Sequence, residues 1–369
     1  MFFAIILCLL IVLATCKPKY NLQSLQSGEY ISLERTAIIK GVLIILVVTW
    51  HLSLSLPSSL YPTERRICNV FYYGLGQGLI VAPFFFISGY GLFCSYTKRG
   101  GEYLKKLSLE RIPLLLIHFD TLVILYYLCY SAAGKRPDTI QLMESLVAWQ
   151  RIGNIEWYVF AILCFYTAFA FFFKRLSKKT ATFMIFVFSL ALICTLHFIG
   201  GKPRYWTDTL LSFWAGVYWG CNKAIIEHLL TKMERWRLLC GITLCVVSLA
   251  VYHIQGIGQT ALTFVRNMAS VGIVFAIMMI SSCIHAERVN RFLAWCSKNL
   301  LALLVWHMLP IMMMAKFGMC SNIYLFIPCS LILVFLGAYG ISIVWGKLDE
   351  LYMRLTGLNR REAERIRKK

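Results

Sequence analysis

A lysine and a histidine lie eleven residues apart within a long apolar run, Lys40-GVLIILVVTW-His51. On an α-helix eleven residues make three turns plus about 20°, so both side chains share one face, about 16 Å apart along the axis. Ionisable groups at membrane depth are costly and commonly mark functional sites, and histidine can take up a proton near neutral pH. The pair therefore indicates either proton-transfer chemistry within a membrane or a histidine near a helix end whose ring reaches the interface.

Small and basic residues around the next apolar run could contact a ligand. Ser88, Gly89 and Tyr90 come after a proline and an aromatic run, and small residues in such a helix allow the close approach of another helix or of a ligand. The loop that follows carries five cations, Lys98, Arg99, Lys105, Lys106 and Arg111. These cations either orient the chain and contact lipid headgroups, or they bind a phosphorylated ligand.

Polar residues further along the chain are weaker candidates. Glu156 and Trp157 begin an apolar run, where the carboxylate could bind hydroxyl groups of a ligand or simply lie at the interface. His307 lies in a late apolar run and could line a cavity. His118 either lines a channel or is satisfied by a neighbouring helix, and Arg266 is expected to pair with a carboxylate or to extend to the interface.

The composition places these residues in a membrane protein. The chain has 369 residues, 59% hydrophobic and 15% charged, with a mean hydropathy of +0.69, whereas a soluble domain has about 45–50% apolar and about 25% charged residues. Apolar runs of membrane-spanning length recur throughout, so we predict an all-α fold, a polytopic transmembrane helical bundle. About ten core spans are predicted, at 37–56, 69–93, 112–131, 157–173, 180–199, 205–221, 238–254, 260–284, 299–316 and 322–346.

The net charge of +20 would favour nucleic acid as the partner of a soluble protein. Here most lysines and arginines fall on one side of the predicted spans when residue 36 is placed in the cytoplasm, as the positive-inside rule requires. The charge therefore orients the chain in the membrane, with a cytoplasmic C-terminus that contacts anionic lipids. No nucleic-acid partner is expected.

The predicted spans divide the chain into three parts. Residues 1–31 hold an N-terminal hydrophobic segment and a linker, 32–347 the transmembrane domain, and 348–369 a basic cytoplasmic tail. The first 16 residues could be an extra span, a cleaved signal or the product of a wrong start site. The 14 cysteines lie singly, without C-x-x-C spacing, so they are expected to be packing residues and no metal site is expected.

The order of the motifs resembles that of one family of membrane enzymes. A basic residue is followed after ten residues by a histidine, then by a Ser-Gly-aromatic run and a basic loop that ends in Arg111-Ile112-Pro113. The pair Trp157-Tyr158 and a late segment, Ser297-KNLLALLVW-His307-MLP, come after them. Together these motifs resemble acyltransferase family 3, integral membrane proteins that transfer acyl groups, often acetyl, to sugars of surface polysaccharides. The resemblance covers nearly all of residues 32–346.

The resemblance implies roles for individual residues. His51 matches the family's catalytic histidine, and Lys40 stands where the family usually has an arginine, so the charge is kept but the bidentate fork is lost. Where many members have Arg-x-x-Arg, this chain keeps only Arg111, and Lys105 or Lys106 could replace the first arginine. These three residues are the expected site for the donor's phosphates. The expected substrate-binding residues are Ser88, Gly89, Tyr90, Glu156, Trp157 and His307.

We therefore expect an acyltransferase of the cytoplasmic (inner) membrane. It would move an acyl group, expected to be acetyl, from cytoplasmic acyl-CoA to a hydroxyl of a cell-surface or lipid-linked carbohydrate, with His51 as general base and no permanently bound cofactor. A transporter or flippase for a glycan or lipid-linked intermediate is the alternative, because intramembrane His and Lys also suit proton coupling. Against it, the sequence shows no paired halves or repeated broken helices. A catalytically inactive scaffold is a third alternative.

Overall fold

The structure, a computed structural model of the chain, describes residues 13, 16, 18–20, 30–76, 78–135, 137–153, 155–286 and 289–358. These residues are predominantly helical, which confirms the predicted all-α fold. The α-helices are, in chain order, α1 (Leu33–Leu54), α2 (Pro62–Gly74), α3 (Ala82–Arg99), α4 (Gly101–Lys106), α5 (Ile112–Ala132), α6 (Thr139–Leu146), α7 (Glu156–Arg175), α8 (Lys178–Cys194), α9 (Leu211–Cys221), α10 (Lys223–Lys232), α11 (Arg237–Tyr252), α12 (Gln259–Ser282), α13 (Arg291–Lys298), α14 (Leu300–Trp306), α15 (Met308–Lys316) and α16 (Ile323–Leu355).

Short elements of other kinds occur between these helices. Two three-residue strands, β1 (Pro18–Tyr20) and β2 (Ile284–Ala286), pair in an antiparallel sheet. A π-helical turn at Leu107–Arg111 leads directly into α5. As a result α4, the π turn and α5 form one helical segment, Gly101–Ala132, with the basic residues at its beginning.

Within the described part of the chain, six helical segments are long and apolar enough to cross a membrane: Leu33–Leu54, Gly101–Ala132, Glu156–Arg175, Lys178–Ile199, Gln259–Ser282 and Ile323–Leu355. The number rises to eight if each of two bent helix pairs is one span, α10 with α11 and α13 with the segment formed by α14 and α15. Each of the six overlaps one predicted span. The predicted count of ten is not confirmed.

Several predicted spans are interrupted in the structure. The segment 69–93 is not one helix, because α2 and α3 occupy its two ends and Gly76 lies between them with φ +63°, a conformation that glycine adopts without strain. The segment 205–221 is α-helical only in α9, and 299–316 is interrupted at His307. Hydropathy does not reveal such breaks, because an average over a membrane-length window is dominated by the apolar residues on both sides of the few glycine or polar residues at the break.

The chain divides into two compact units. One comprises Met1–Ser108 with Ala161–Leu300, and the other comprises Leu109–Phe160 with Leu301–Lys369. The first unit holds α1 to α4 and α8 to α13, and the second holds α5, α6, α15 and α16. Most of the predicted N-terminal segment 1–31 lies outside the described residues, as do residues 359–369 of the predicted tail.

In the first unit α3 and α9 pack with their backbones in contact. A Cβ atom on Gly89 would collide with the carbonyl oxygen of Phe213, and one on Gly216 would collide with that of Phe86. The two glycines therefore permit a reciprocal close approach that any side chain would prevent. The side-chain amide of Asn267 in α12 donates to the carbonyl oxygen of Thr207 (2.8 Å). This hydrogen bond connects α12 to the segment that precedes α9.

In the second unit α5 packs against α16 and the neighbouring helices. The indole Nε1 of Trp345 donates to the hydroxyl of Thr121 (3.1 Å), and the hydroxyl of the buried Tyr126 donates to the carbonyl oxygen of Val305 (3.1 Å). These hydrogen bonds satisfy polar groups within apolar helices, where an unpaired group would be costly.

Candidate functional site

Lys40 and His51 lie on one uninterrupted helix, as the sequence predicts. The hydroxyl of Ser32 caps α1 by accepting from the backbone N–H of Arg35 (3.2 Å), and the helix then runs to Leu54. Both ionisable side chains are half-buried. Because the helix is continuous between them, they share one face with the separation that helical geometry requires.

The ring of His51 is held in one orientation by its own helix. Its Nδ1 is 2.9 Å from the carbonyl oxygen of Val47, one turn earlier. A carbonyl oxygen can only accept a hydrogen bond, so Nδ1 carries the proton and, in the neutral ring, Nε2 carries the lone pair. The local backbone therefore selects the tautomer in which Nε2 is the basic nitrogen.

The two residues directly before His51 connect α1 to α2. The hydroxyl of Thr49 is hydrogen-bonded to that of Tyr72, and the rings of Trp50 and Tyr72 are 4.9 Å apart at 52°. Burial raises the pKa of Tyr72 to about 12, against the lowering effect of its bond with Thr49, so this hydroxyl stays protonated at physiological pH. The sequence did not indicate Tyr72, because it lies 23 positions from Thr49 in an ordinary apolar run.

Close helix packing also fixes the helix at Lys40. A Cβ atom on the adjacent Gly41 would lie 2.7 Å from the carbonyl oxygen of Leu293 in α13. Since only glycine fits at this distance, α1 and α13 touch beside the lysine. The position of the Lys40 backbone is thus set by a tertiary contact.

The Ser-Gly-Tyr group lies on α3 in the same unit. Gly89 and Tyr90 are buried and Ser88 is half-buried. The sequence left open whether these small residues admit a helix or a ligand, and at Gly89 it is α9 that approaches. Of the expected phosphate ligands in this unit, Lys105 is exposed and Lys106 half-buried.

The second unit holds the remaining predicted site residues. Arg111 is exposed at the end of the π turn. Glu156 is buried, with 3% of its surface exposed, at the first position of α7, and Trp157 is half-buried next to it. Directly before them Ile155 has φ +66°, which is strained for a β-branched residue. Such strain concentrates at functional sites, and it supports the Glu156 region as a candidate.

His307 is completely buried between α14 and α15. Its Nδ1 is 2.8 Å from the carbonyl oxygen of Leu303, which is the same bond to the preceding turn that His51 makes. Nε2 is therefore the basic nitrogen of this ring as well.

His118 and Arg266 each lie next to a carboxylate. Nε2 of His118 is 2.7 Å from Oδ1 of Asp349, and the imidazole stacks on Trp345 with centroids 4.4 Å apart. Arg266 lies 3.0 Å from Oδ2 of Asp208. The predictions of a satisfied histidine and a paired arginine are confirmed. Among the described residues, no group of three or more His, Cys, Asp or Glu side chains is placed to hold a metal ion.

A chain with several helices long and apolar enough to cross a membrane is a multi-pass membrane protein. The family model described as "Acyltransferase domain" matches residues 37–344, from just before Lys40 to a point within α16. The chain belongs to acyltransferase family 3, and it is a membrane acyltransferase. No curated protein and no solved structure matches it significantly.

Proposed function

We propose that this protein is an O-acyltransferase that moves an acetyl or other small acyl group from acyl-CoA to a hydroxyl of a cell-surface or lipid-linked carbohydrate. The observation that carries the proposal is the histidine within the first core helix of a family acyltransferase, oriented with Nε2 as its basic nitrogen. Acyl transfer to a hydroxyl needs such a base. We place the reaction in the inner membrane, with the donor cytoplasmic and the C-terminus inside.

The chemical step follows from this orientation. Nε2 of His51 takes the proton of the acceptor hydroxyl while the hydroxyl oxygen attacks the thioester carbonyl. The tetrahedral intermediate then collapses as the carbon–sulfur bond breaks, and the thiolate takes the proton back from the imidazolium. Lys40 lies on the same face of α1 as His51 and adds a positive charge to that face. The Val47 carbonyl also stabilises the imidazolium, because it accepts from Nδ1–H throughout.

The remaining predicted residues are proposed to bind the two substrates. Arg111 with Lys105 and Lys106 would hold the phosphates of CoA, since guanidinium and ammonium groups on a cytoplasmic loop suit a polyanion. Around the acceptor we place Ser88, Gly89, Tyr90, Glu156, Trp157 and His307. Gly89 would act there only through its backbone, because α9 packs against it.

The proposal is tested with purified protein in detergent by measuring thiol release from acetyl-CoA in the presence of a sugar acceptor. His51→Ala should lower the rate by about 10²–10⁴-fold, the contribution expected of a general base, without changing the elution volume of the protein. His228→Ala is the matched control, because His228 is exposed on α10 and should retain full activity. Undiminished turnover in the His51 variant would refute the catalytic role.

A transporter for a glycan or lipid-linked intermediate remains a second candidate, and one observation favours it. The structure contains bent helix pairs, and α10 meets α11 at 110°, whereas the sequence showed no broken helices. Broken spans are common at the substrate sites of transporters. The same assay separates the two functions, because thiol release in detergent requires no membrane gradient.

A further inference from the structure

Arg237 is the most unusual charged residue of the first unit. It is the first residue of α11, at the 110° bend after α10, and its side chain is completely buried with 0% exposed. Buried arginines normally lie opposite a carboxylate or another anion. No described carboxylate lies within 4 Å of Arg237, and no hydrogen-bond partner reaches Nη1 or Nη2.

The contacts that Arg237 makes stabilise its buried positive charge only weakly. Nε donates to the thiol of Cys283 at 3.4 Å, and the guanidinium carbon lies 5.5 Å from the ring centroid of Tyr30. Sulfur is a poor acceptor. The helix itself adds to the uncompensated positive charge at Arg237, because the N-terminal end of a helix repels a cation and attracts an anion. α11 begins with no side-chain cap and with no acidic residue in its first turn.

A second guanidinium lies against the same tyrosine. Arg35 Nη1 donates to the carbonyl oxygen of Tyr30, and the Tyr30 hydroxyl is 2.7 Å from that of Thr231, so the tyrosine is held from both ends. Arg35 and Arg237 are close enough for their charges to repel each other, and the charge of Glu34 acts on Arg35 in the opposite sense. The charge pattern independently predicts both arginines on the cytoplasmic side.

We propose that Arg35 and Arg237 form a binding site for a phosphate-bearing ligand at the start of α11. Two guanidinium groups with an uncapped helix N-terminus match a phosphate monoester or diphosphate, which carries two negative charges and offers oxygens for bidentate bonds.

The phosphate could be supplied by a soluble nucleotide-type donor or by an anionic lipid headgroup, since the chemistry that recognises them is the same. Only the identification of the bound phosphate as part of the acyl donor rests on the proposed function. The proposal that a phosphate binds here does not depend on it. It lies apart in sequence from the Lys105, Lys106 and Arg111 group, so it would be an additional contact.

The test uses the full-length protein in dodecyl maltoside with inorganic pyrophosphate as the probe and sodium chloride at equal ionic strength as the salt control. Pyrophosphate should raise the apparent melting temperature of the wild type saturably. Arg237→Met should weaken pyrophosphate binding at least about tenfold, the loss expected for charge-assisted hydrogen bonds. It should also melt at a higher temperature than the wild type without ligand, because it removes an unpaired buried cation.

Controls separate a binding role from a structural one. Arg175→Met, at an exposed position of α7, should bind pyrophosphate like the wild type. If Arg237→Met does not fold, Arg35→Met, at a half-buried position, should show the same loss of affinity. Unchanged pyrophosphate affinity in the folded variants, or no saturable binding by the wild type, would overturn the proposal.

A competition experiment identifies the source of the phosphate. Displacement of pyrophosphate by coenzyme A but not by phosphate-free pantetheine supports a soluble donor. Displacement by phosphatidic acid in phosphatidylcholine nanodiscs, without an effect of coenzyme A, supports a lipid headgroup. None of these readouts requires turnover, so the site can be confirmed even if the protein proves not to transfer acyl groups from CoA.

Discussion

Among the single residues, the tautomer of the His51 ring is selected by a backbone carbonyl oxygen four positions earlier in the chain. Because Val47 O can only accept, the ring presents Nε2 as the base, and a neighbouring acidic side chain is not needed to select the tautomer. His307 repeats the arrangement with Leu303. An amphipathic or apolar helix can thus prepare a histidine for proton transfer with its own carbonyl groups.

The buried ion pair between Asp208 and Arg266 gives a prediction at this scale. Their side chains are 4% and 14% exposed, so Asp208→Asn or Arg266→Met alone should destabilise the protein by about 3–5 kcal/mol, because each leaves one charge unpaired. The measurement is the apparent melting temperature in detergent. The double variant should melt closer to the wild type than either single variant does.

An exposed pair provides the comparison for that experiment. Glu350 and Arg354 are 3.7 Å apart with side chains 72% and 76% exposed, and Glu350→Gln should change the melting temperature little. Equal effects of Asp208→Asn and Glu350→Gln would contradict the importance assigned to burial.

At the scale of helices, glycines decide which elements meet. α1 touches α13 at Gly41, and α3 touches α9 at Gly89 and Gly216. These contacts place the helix that carries Lys40 and the helix that carries Ser88 to Tyr90. Without a hydrophobic driving force between helices in lipid, close backbone packing of this kind is a principal source of association.

The glycines of α3 give a sharp test of this packing. Gly89→Ala should lower the yield of monodisperse protein and its melting temperature, because the new methyl group would meet the carbonyl oxygen of Phe213. Gly91→Ala, two residues on in the same helix, has nothing within 4 Å of the added Cβ and should be neutral or stabilising by up to about 1 kcal/mol. Size-exclusion chromatography and thermal unfolding measure both. Equal behaviour of the two variants would contradict the assigned α3–α9 contact.

At the scale of the whole molecule, the number of spans constrains the topology. Among the residues that the structure describes, six spans, or eight if both bent pairs cross the membrane, return the chain to the side on which α1 begins, as ten would, whereas seven would not. The predicted orientation, with residue 36 and the C-terminus in the cytoplasm, is therefore compatible with the revised count.

Reporter fusions test this orientation. Alkaline phosphatase inserted between α1 and α2, after residue 58, should be active because this loop is predicted to face the outer side. The same reporter fused after residue 358 should be inactive, and green fluorescent protein fused there should fluoresce. An active phosphatase at residue 358 would mean an odd number of spans or a reversed orientation.

The class of protein, the family and the continuous helix with Lys40 and His51 could all be predicted from the sequence, because they depend on local hydropathy and on the order of motifs. It also indicated that His118 and Arg266 need partners, since isolated charges are costly in apolar helices. Both inferences depend on properties of single segments.

The identity of those partners and the ends of the helices depend on contacts between distant segments, which the sequence does not reveal. Asp349 lies 231 positions from His118, and Tyr30 brings together Arg35 and Arg237, which the sequence showed only as two of many cytoplasmic cations. The breaks within 69–93 and at His307 likewise escape prediction, because hydropathy averages over a window. Backbone geometry at Gly76 and contacts between distant segments are not properties of any one window, so they become visible only when the helices are packed.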